Sequence, residues 1–173
     1  DKPHFIFIST SHVYNFSRKK LKETSKTDPK NIYSKFKLRS ENYIKRYYKN
    51  YTILRLFNIY GPNQSKNYFI QDMREKIRKG RVINIDKSIR DFIHVSEVSR
   101  VIKFIIKKKI NGTINVGSGK GYSLIKIVKY LSKKLKKKPI LIVKNEKTKL
   151  VADISLLKSY GFKTTINEKY INF

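Results

Sequence analysis

The sequence predicts an α/β protein in which short apolar runs alternate with amphipathic segments, in the order β-α-β-α-β-α-β-α-β-α over 173 residues. Two observations carry that reading. Phe5-Ile6-Phe7-Ile8 and residues 51–56 are apolar runs of the kind found in strands covered on both faces by helices. The segments between such runs repeat apolar residues at helical spacing and stop at glycine or proline. Alternation of this kind implies parallel pairing with right-handed crossovers.

Taken in order, the first strand is Phe5-Ile6-Phe7-Ile8, closed by the hydroxyl cluster Ser9-Thr10-Ser11. A polar, lysine-rich loop without periodicity follows as far as Pro29. Over 33–49, Phe36, Tyr43, Ile44, Tyr47 and Tyr48 recur at helical spacing, which predicts an amphipathic helix with those residues inward. Residues 51–56 form the next strand, ended by the Tyr60-Gly61-Pro62 turn. A helix over 69–78 stops at Gly80, and a short strand covers 82–85. Residues 95–107 are helical, and Asn111-Gly112 turns into a strand at 113–116. A helix over 123–135, a strand over 140–143 after Pro139, and a short helix over 155–160 stopped by Gly161 complete the order.

Composition narrows the function classes. The net charge is +29, with 32 lysines against 9 arginines. Nucleic-acid recognition favours arginine, whose fork engages phosphates and base edges two atoms at a time. Here the excess is lysine and is spread along the whole chain, so a basic surface that steers an anionic substrate is the preferred reading. No cysteine is present, which removes disulfides and thiolate metal sites and suits a reducing, cytoplasmic setting. His4, His12 and His94 lack ligand spacing, so no metal is expected. No apolar run approaches the ~20 residues of a membrane span. The chain begins with Asp1 and its one methionine is Met73, so it is read as a fragment whose N-terminal part lies upstream.

Tyr33 and Lys37 stand four residues apart, and on a helix that spacing puts both side chains on one face. A free phenol has a pKa near ~10 and is a poor base at neutral pH. A neighbouring ammonium favours the phenolate, which makes tyrosine a usable acid–base group for an alcohol/ketone pair. Spacing alone is weak, because Tyr122–Lys126 and Tyr130–Lys134 share it and are read as ordinary helix surface. Tyr33–Lys37 differs in following Thr10, a hydroxyl at the carboxyl end of a strand, where ligands of open parallel sheets gather.

The ordered set Ile8-Ser9-Thr10-Ser11-His12-Val13-Tyr14, Tyr33-x-x-x-Lys37, Leu54-Arg55-Leu56-Phe57-Asn58-Ile59-Tyr60-Gly61-Pro62, Arg90-Asp91-Phe92-Ile93-His94-Val95 and Asn115-Val116-Gly117-Ser118-Gly119 resembles the extended short-chain dehydrogenases/reductases. More narrowly, it is similar to the NAD-dependent epimerase/dehydratase family acting on nucleotide sugars. The likeness runs through nearly the whole chain, including Ala152-Asp153. It implies the C-terminal part of a Rossmann-type NAD(P)-binding domain with a parallel sheet, plus a small substrate-binding lobe. The Rossmann portion is expected at 1–61 and 95–118, and the lobe at 62–94 and 119–173.

By that resemblance Thr10 is the triad hydroxyl, Tyr33 the acid/base, and Lys37 the residue that binds the nicotinamide ribose and tunes Tyr33. Phe57 lies where the family's backbone approaches the nicotinamide, Asn58 contacts the sugar nucleotide, and Arg90 pairs with its phosphates. Alternative roles are a turn cap for Asn58 and a salt bridge to Asp91 for Arg90. Several positions depart from the family pattern. Ser11-His12 replace the Asp-Glu pair of the dehydratase branch, which disfavours dehydration, and Asn15 replaces the glycine that follows Tyr14. Lys144 and Glu146 stand in for an arginine-containing stretch before Ala152. The glycine-rich dinucleotide turn belongs upstream of Asp1. Gly117-Ser118-Gly119-Lys120-Gly121 fails that fingerprint, since Tyr122 occupies the last glycine's place, and it fails the P-loop pattern because Gly121 follows Lys120. It is read as the turn leaving the sheet for the lobe.

The expected activity is NAD-dependent 4-epimerisation of a nucleotide sugar by transient oxidation, with NADP as the alternative cofactor and a homodimer as the full-length assembly. Two other readings stand beside it: an NAD(P)H-dependent reductase of 4-keto nucleotide sugars, and a non-catalytic remnant or basic binding protein.

Overall fold

The computed structural model describes residues 3–165. The expected portion limits at residues 1 and 173 fall outside that range. Along the chain lie β1 (Phe5–Thr10), α1 (Ile32–Tyr47), β2 (Tyr51–Leu56), β3 (Asn58–Tyr60), α2 (Phe69–Arg78), β4 (Val82–Asp86), β5 (Ile89–Arg90) and β6 (Phe92–His94). Then follow α3 (Val95–Lys108), β7 (Gly112–Val116), β8 (Tyr122–Ser123), α4 (Leu124–Leu135), β9 (Ile140–Lys144), β10 (Lys149–Leu150) and α5 (Ser155–Ser159).

The main sheet runs β1-β2-β7, all parallel. Its register pairs Phe5 with Tyr51 through Thr10 with Leu56, and Thr52 with Gly112 through Leu56 with Val116. The three strands therefore end level, and Thr10, Leu56 and Val116 emerge side by side at one rim. β2 is central, with Ile53 and Leu54 fully buried. The Thr52 hydroxyl, also buried, donates to the Ile110 carbonyl. α3 supplies Val98, Val101 and Ile105 to the core under this sheet, and α5 supplies Leu157. β1 pairs only with β2 among the described residues, and Phe5 and Ile8 remain 40% exposed, so this apolar strand forms an exposed edge of the sheet.

A second layer is built from β4 paired in parallel with β9, covered by α2 and α4 through Ile70, Met73, Ile77, Ile127, Val128 and Leu131. β6 joins the two cores by strand alternation: Phe92 points into the α2/α4 cluster and Ile93 into the cluster under the main sheet. β3, β5, β6, β8 and β10 are two or three residues long, too short for a periodic signal, and all five escape a reading of the sequence. Gly61 marks the joint after β3, because a Cβ there would lie 2.6 Å from Val95 Cγ1.

α1 departs from expectation in its orientation. Its buried residues are Ser34, Glu41 and Ile44, while Phe36, Tyr43 and Tyr47 stand outside at 58–62% exposure. The inward face is polar because it meets partners from other strands. Glu41 is fully buried; its carboxylate accepts Ser9 Oγ at 2.5 Å, Arg55 Nη2 at 2.6 Å and Arg55 Nε at 3.0 Å. Lys45 Nζ stands 3.9 Å away on the next turn. Burial works most strongly against the charge on Arg55, but its hydrogen bonds to Glu41, joined by the charge of Glu41 and by Tyr14, together outweigh it and the guanidinium pKa is raised. The Arg55 guanidinium also lies 4.6 Å from the centre of the Tyr14 ring.

Removing one member of a buried pair strands the other charge away from water, at a cost of about 3–5 kcal/mol. Glu41→Ala is expected to lower unfolding stability by about that amount in urea titrations. Truncation of the exposed Phe36 to alanine on the opposite face should change it by less than ~0.5 kcal/mol.

Candidate active site

A cavity of about 460 Å³ opens at the carboxyl rim of the main sheet, lined by Thr10, His12, Asn31, Tyr33, Phe57, Asn58, Gln64 and Phe92 among others. Thr10 ends β1, and its Oγ1 accepts the His12 amide at 3.2 Å, which starts a single 3-10 turn over Ser11–Val13. Tyr33 stands in the first turn of α1, where Asn31 and Ser34 form a reciprocal cap: Ser34 N donates to Asn31 Oδ1 at 2.8 Å and Asn31 N to Ser34 Oγ at 3.3 Å. That cap fixes where the helix begins and leaves Tyr33 at the cavity with 56% of its surface exposed. One turn on, Lys37 Nζ donates to the Ile8 carbonyl at 2.8 Å and lies 5.8 Å from the centre of the Tyr33 ring. Thr10 and Tyr33 thus share one cavity, and the Lys37 ammonium is anchored beside them.

Tyr14 is a buried phenol with a structural setting. Burial first, against the pull of Arg55, pushes its pKa up to about 12, and its hydroxyl donates to Asn115 Oδ1 at 2.7 Å. It stays protonated over any ordinary pH range, whereas Tyr33 faces open space.

Phe57 is buried beyond the end of β2, with its amide donating to the Val116 carbonyl at 2.9 Å. Asn58 lines the cavity and directs both its backbone N–H (3.1 Å) and its Nδ2 (2.9 Å) to the Asp91 carbonyl. It is therefore held by β6's approach and not by the following turn. Arg90 does not line this cavity. Its Nη1 donates to the Thr148 carbonyl at 3.1 Å and its Nη2 to Thr148 Oγ1 at 2.7 Å, so no bridge to Asp91 forms.

Asp91 has other partners. Its carboxylate accepts Ser118 N at 2.8 Å, Ser118 Oγ at 2.7 Å, Gly119 N at 2.9 Å and Ala152 N at 3.1 Å. Burial raises its pKa against the opposing effect of those donors. The glycine-rich turn after β7 is thus an anion nest already filled by a carboxylate of the same chain. Gly117 is required there: a Cβ would sit 2.8 Å from both Asp91 Oδ2 and Ala152 Cβ. Asp91, Glu41 and Arg55 are the residues whose partners sequence spacing does not reveal. Arg-Asp and the glycine run were visible, but nothing local pairs residue 91 with residues 118, 119 and 152.

His12 keeps part of its surface in solvent on the cavity wall. Burial first, then the charge on Arg90, lowers its pKa. Among the described residues no three or more His, Asp or Glu side chains converge as a metal group, and no helix is long and apolar enough to cross a membrane.

The model of the NAD dependent epimerase/dehydratase family matches residues 1–117, more than half of the chain. GDP-6-deoxy-D-talose 4-dehydrogenase of Aggregatibacter actinomycetemcomitans is 34% identical over 134 residues, covering 73% of this chain and 45% of that protein. UDP-N-acetylglucosamine 4-epimerase from Methanobrevibacter ruminantium M1, solved in complex with UDP-N-acetylmuramic acid, is 29% identical with a TM-score of 0.83, over 95% of this chain and 58% of that one. UDP-glucuronic acid 4-epimerase from Bacillus cereus, in complex with UDP-glucuronic acid and NAD, is 26% identical with a TM-score of 0.82, over 97% and 61%. The chain spans about half the length of the curated relatives it matches. It belongs to the NAD dependent epimerase/dehydratase family and carries part of the family's Rossmann-type fold.

Two measurements check this geometry. Gly117→Ala should cost on the order of 1–3 kcal/mol in thermal or urea unfolding, because neither the Asp91 carboxylate nor Ala152 has room to give. In an NMR titration the His12 ring should protonate with a midpoint below 6.5, and Arg90→Gln should move that midpoint upward by removing a repelling charge.

Proposed function

We propose that this member of the epimerase/dehydratase family carries the reaction centre and substrate lobe of a nucleotide-sugar 4-epimerase. The single observation behind the proposal is that Thr10 and Tyr33 line one cavity on the carboxyl rim of a parallel sheet, with the Lys37 ammonium held on the Ile8 carbonyl 5.8 Å from the centre of the Tyr33 ring. Rossmann-type sheets bind their ligands at that rim. Residues 1–61 and 95–118 are taken as the Rossmann portion, and 62–94 with 119–173 as the lobe.

The residues present fit the nicotinamide riboside end of NAD. Lys37 is fixed by the Ile8 carbonyl within reach of a ribose at the rim, and Phe57 backs the cavity. The diphosphate of the cofactor finds no cradle in the turn after β7, whose amides are spent on Asp91. Bound NAD would supply the acceptor and donor of hydride, and NADP, the alternative cofactor, would supply the same nicotinamide chemistry.

The chain's own residues handle the proton and the position. Tyr33 Oη takes the proton of the sugar hydroxyl as the carbon is oxidised and gives it back when the carbonyl is reduced. Lys37 provides the positive charge that favours the phenolate during that exchange. The Thr10 hydroxyl donates to the same sugar oxygen and fixes its direction, and Asn58 holds the sugar from the opposite wall. Ser11 is buried and His12 bears no carboxylate, so the acid–base pair needed to remove water from the sugar is missing at these positions.

A second reading, oxidation or reduction at C4 without return of the hydride, is favoured by the 34% identity to a protein named a 4-dehydrogenase. Net change in the nicotinamide absorbance with substrate separates the two.

In the protein that carries this chain, Tyr33→Phe is expected to lower turnover of a UDP-sugar by about 10²–10⁴-fold while leaving its Kd within about twofold. Near-normal turnover overturns the assignment.

A further inference from the structure

The layer built on α2 and α4 leaves one side of its sheet uncovered. β4 and β9 pair in parallel, Val82 with Ile140 and Asn84 with Ile142, so these four residues share a face. α2 and α4 pack on the opposite face, where Ile83 and Ile85 are buried and Leu141 is partly buried. On the outer face Val82, Ile140 and Ile142 keep 46%, 53% and 54% of their surface exposed. A single exposed aliphatic residue is ordinary, but three β-branched side chains together on two short strands make a patch. Among the described residues no third strand pairs with either β4 or β9.

Cations gather where this pair of strands begins. α2 ends at Arg78 and α4 at Leu135, and the chain turns back into β4 at Val82 and β9 at Ile140. Arg78 and Arg81 stand on one side, Lys133, Lys134 and Lys138 on the other, all exposed. The two sides touch, because Lys137 Nζ donates to the Arg78 carbonyl at 2.6 Å. Arg81 adjoins Val82, and Lys138 lies two residue steps, at most ~7 Å, from Ile140. Among the described residues none of these six cations has a carboxylate within 4.0 Å. Glu75 is an acidic neighbour of Arg81, and Lys79 already holds it at 2.6 Å. Lysine in a last helical turn suits the helix dipole, which accounts for each helix end taken singly. It does not account for two such ends brought together beside an aliphatic face, where like charges repel until an anion joins them.

An aliphatic patch edged by lysine and arginine is complementary to an anionic bilayer. The acyl boundary takes the aliphatic side chains, and the headgroup phosphates meet the cations. Nucleic acid would use the cations and leave the aliphatic residues idle, and Val82, Asn84, Ile140 and Ile142 offer no aromatic ring for a base to stack on. We propose that the outer face of β4 and β9, with the cations at the ends of α2 and α4, seats the protein on an anionic lipid surface. The contact is peripheral, with Val82, Ile140 and Ile142 entering the headgroup boundary. It is independent of the reaction-centre reading above.

The test is co-sedimentation of the full protein that carries this chain with two kinds of vesicle: phosphatidylcholine alone, and equal parts phosphatidylcholine and phosphatidylglycerol. Binding to the mixed vesicles should be at least about tenfold the stronger. A charge variant combines Lys133→Gln, Lys134→Gln and Lys138→Gln. A control combines Lys103→Gln, Lys107→Gln and Lys108→Gln on α3, under the main sheet, and removes the same charge. An aliphatic variant combines Val82→Thr, Ile140→Thr and Ile142→Thr, which keeps the β-branching that suits a strand. The charge and aliphatic variants should each bind mixed vesicles at least about tenfold more weakly, and the control within about threefold of the parent. Equal loss in the control reduces the effect to net charge and overturns the proposal. So does an aliphatic variant that binds like the parent, or a parent that binds both kinds of vesicle alike or neither. A DNA duplex that displaces the parent from vesicles and binds the aliphatic variant equally well assigns the face to nucleic acid and also overturns it. Ile142→Thr alone repeats the aliphatic arm if the triple variant loses its cooperative unfolding.

Discussion

The fully buried carboxylate of Glu41 is the constraint on which the site depends. It takes hydrogen bonds from Ser9, next to Thr10 at the end of β1, and from Arg55 on the central strand. Lys37, one helical turn before Glu41, ties the same helix to the Ile8 carbonyl. Two adjacent residues of β1 thus anchor two successive turns of α1, and this is what brings Tyr33 to the cavity that Thr10 lines. A buried ion pair is a poor source of net stability, since desolvation offsets most of the attraction. Its effect here is on register: sliding or rotating α1 by one residue would strand both charges. From Arg55 the polar contacts continue through the Tyr14 ring to the buried Asn115, which also holds the Leu21 carbonyl through its Nδ2. The loop between β1 and α1 has no secondary structure of length, yet it is fixed at its middle by that network.

Asp91 plays the matching part at the junction with the second layer. Four donors from two separated segments converge on it, and the Asn58 amide uses its backbone carbonyl. The same residue therefore shapes the glycine turn after β7, seats Ala152 and positions Asn58, a side chain of the cavity at the carboxyl rim. Backbone amides in a glycine-rich turn bind whatever anion is nearest, and a carboxylate in the same chain has the advantage of no association entropy. A turn with the look of a phosphate cradle is, for that reason, a structural bolt.

The charge imbalance takes on a more specific meaning in this setting. With 12 acidic residues against 41 basic ones, most cations have no partner available. Scattered over a convex surface they do little beyond long-range steering. Beside β5 the Arg90 guanidinium is instead pinned by Thr148 and by the Phe16 ring.

Much of the architecture was legible before any coordinates. The strands at 51–56 and 113–116 and the helices over 69–78, 95–107 and 123–135 are found within a residue or so of their predicted limits, because caps and glycines act locally. Spacing and order single out Thr10, Tyr33 and Lys37 as candidates, and Thr10 and Tyr33 line one cavity with Lys37 beside the Tyr33 ring. Other features were decided only by the tertiary structure: which side of α1 faces inward, which way Arg90 turns, and what fills the nest after β7. Periodicity sorts residues by polarity, so a helix face bearing serine and glutamate reads as solvent-facing. It becomes an interior face only when Arg55, fourteen positions further on, arrives across the sheet with a compensating charge.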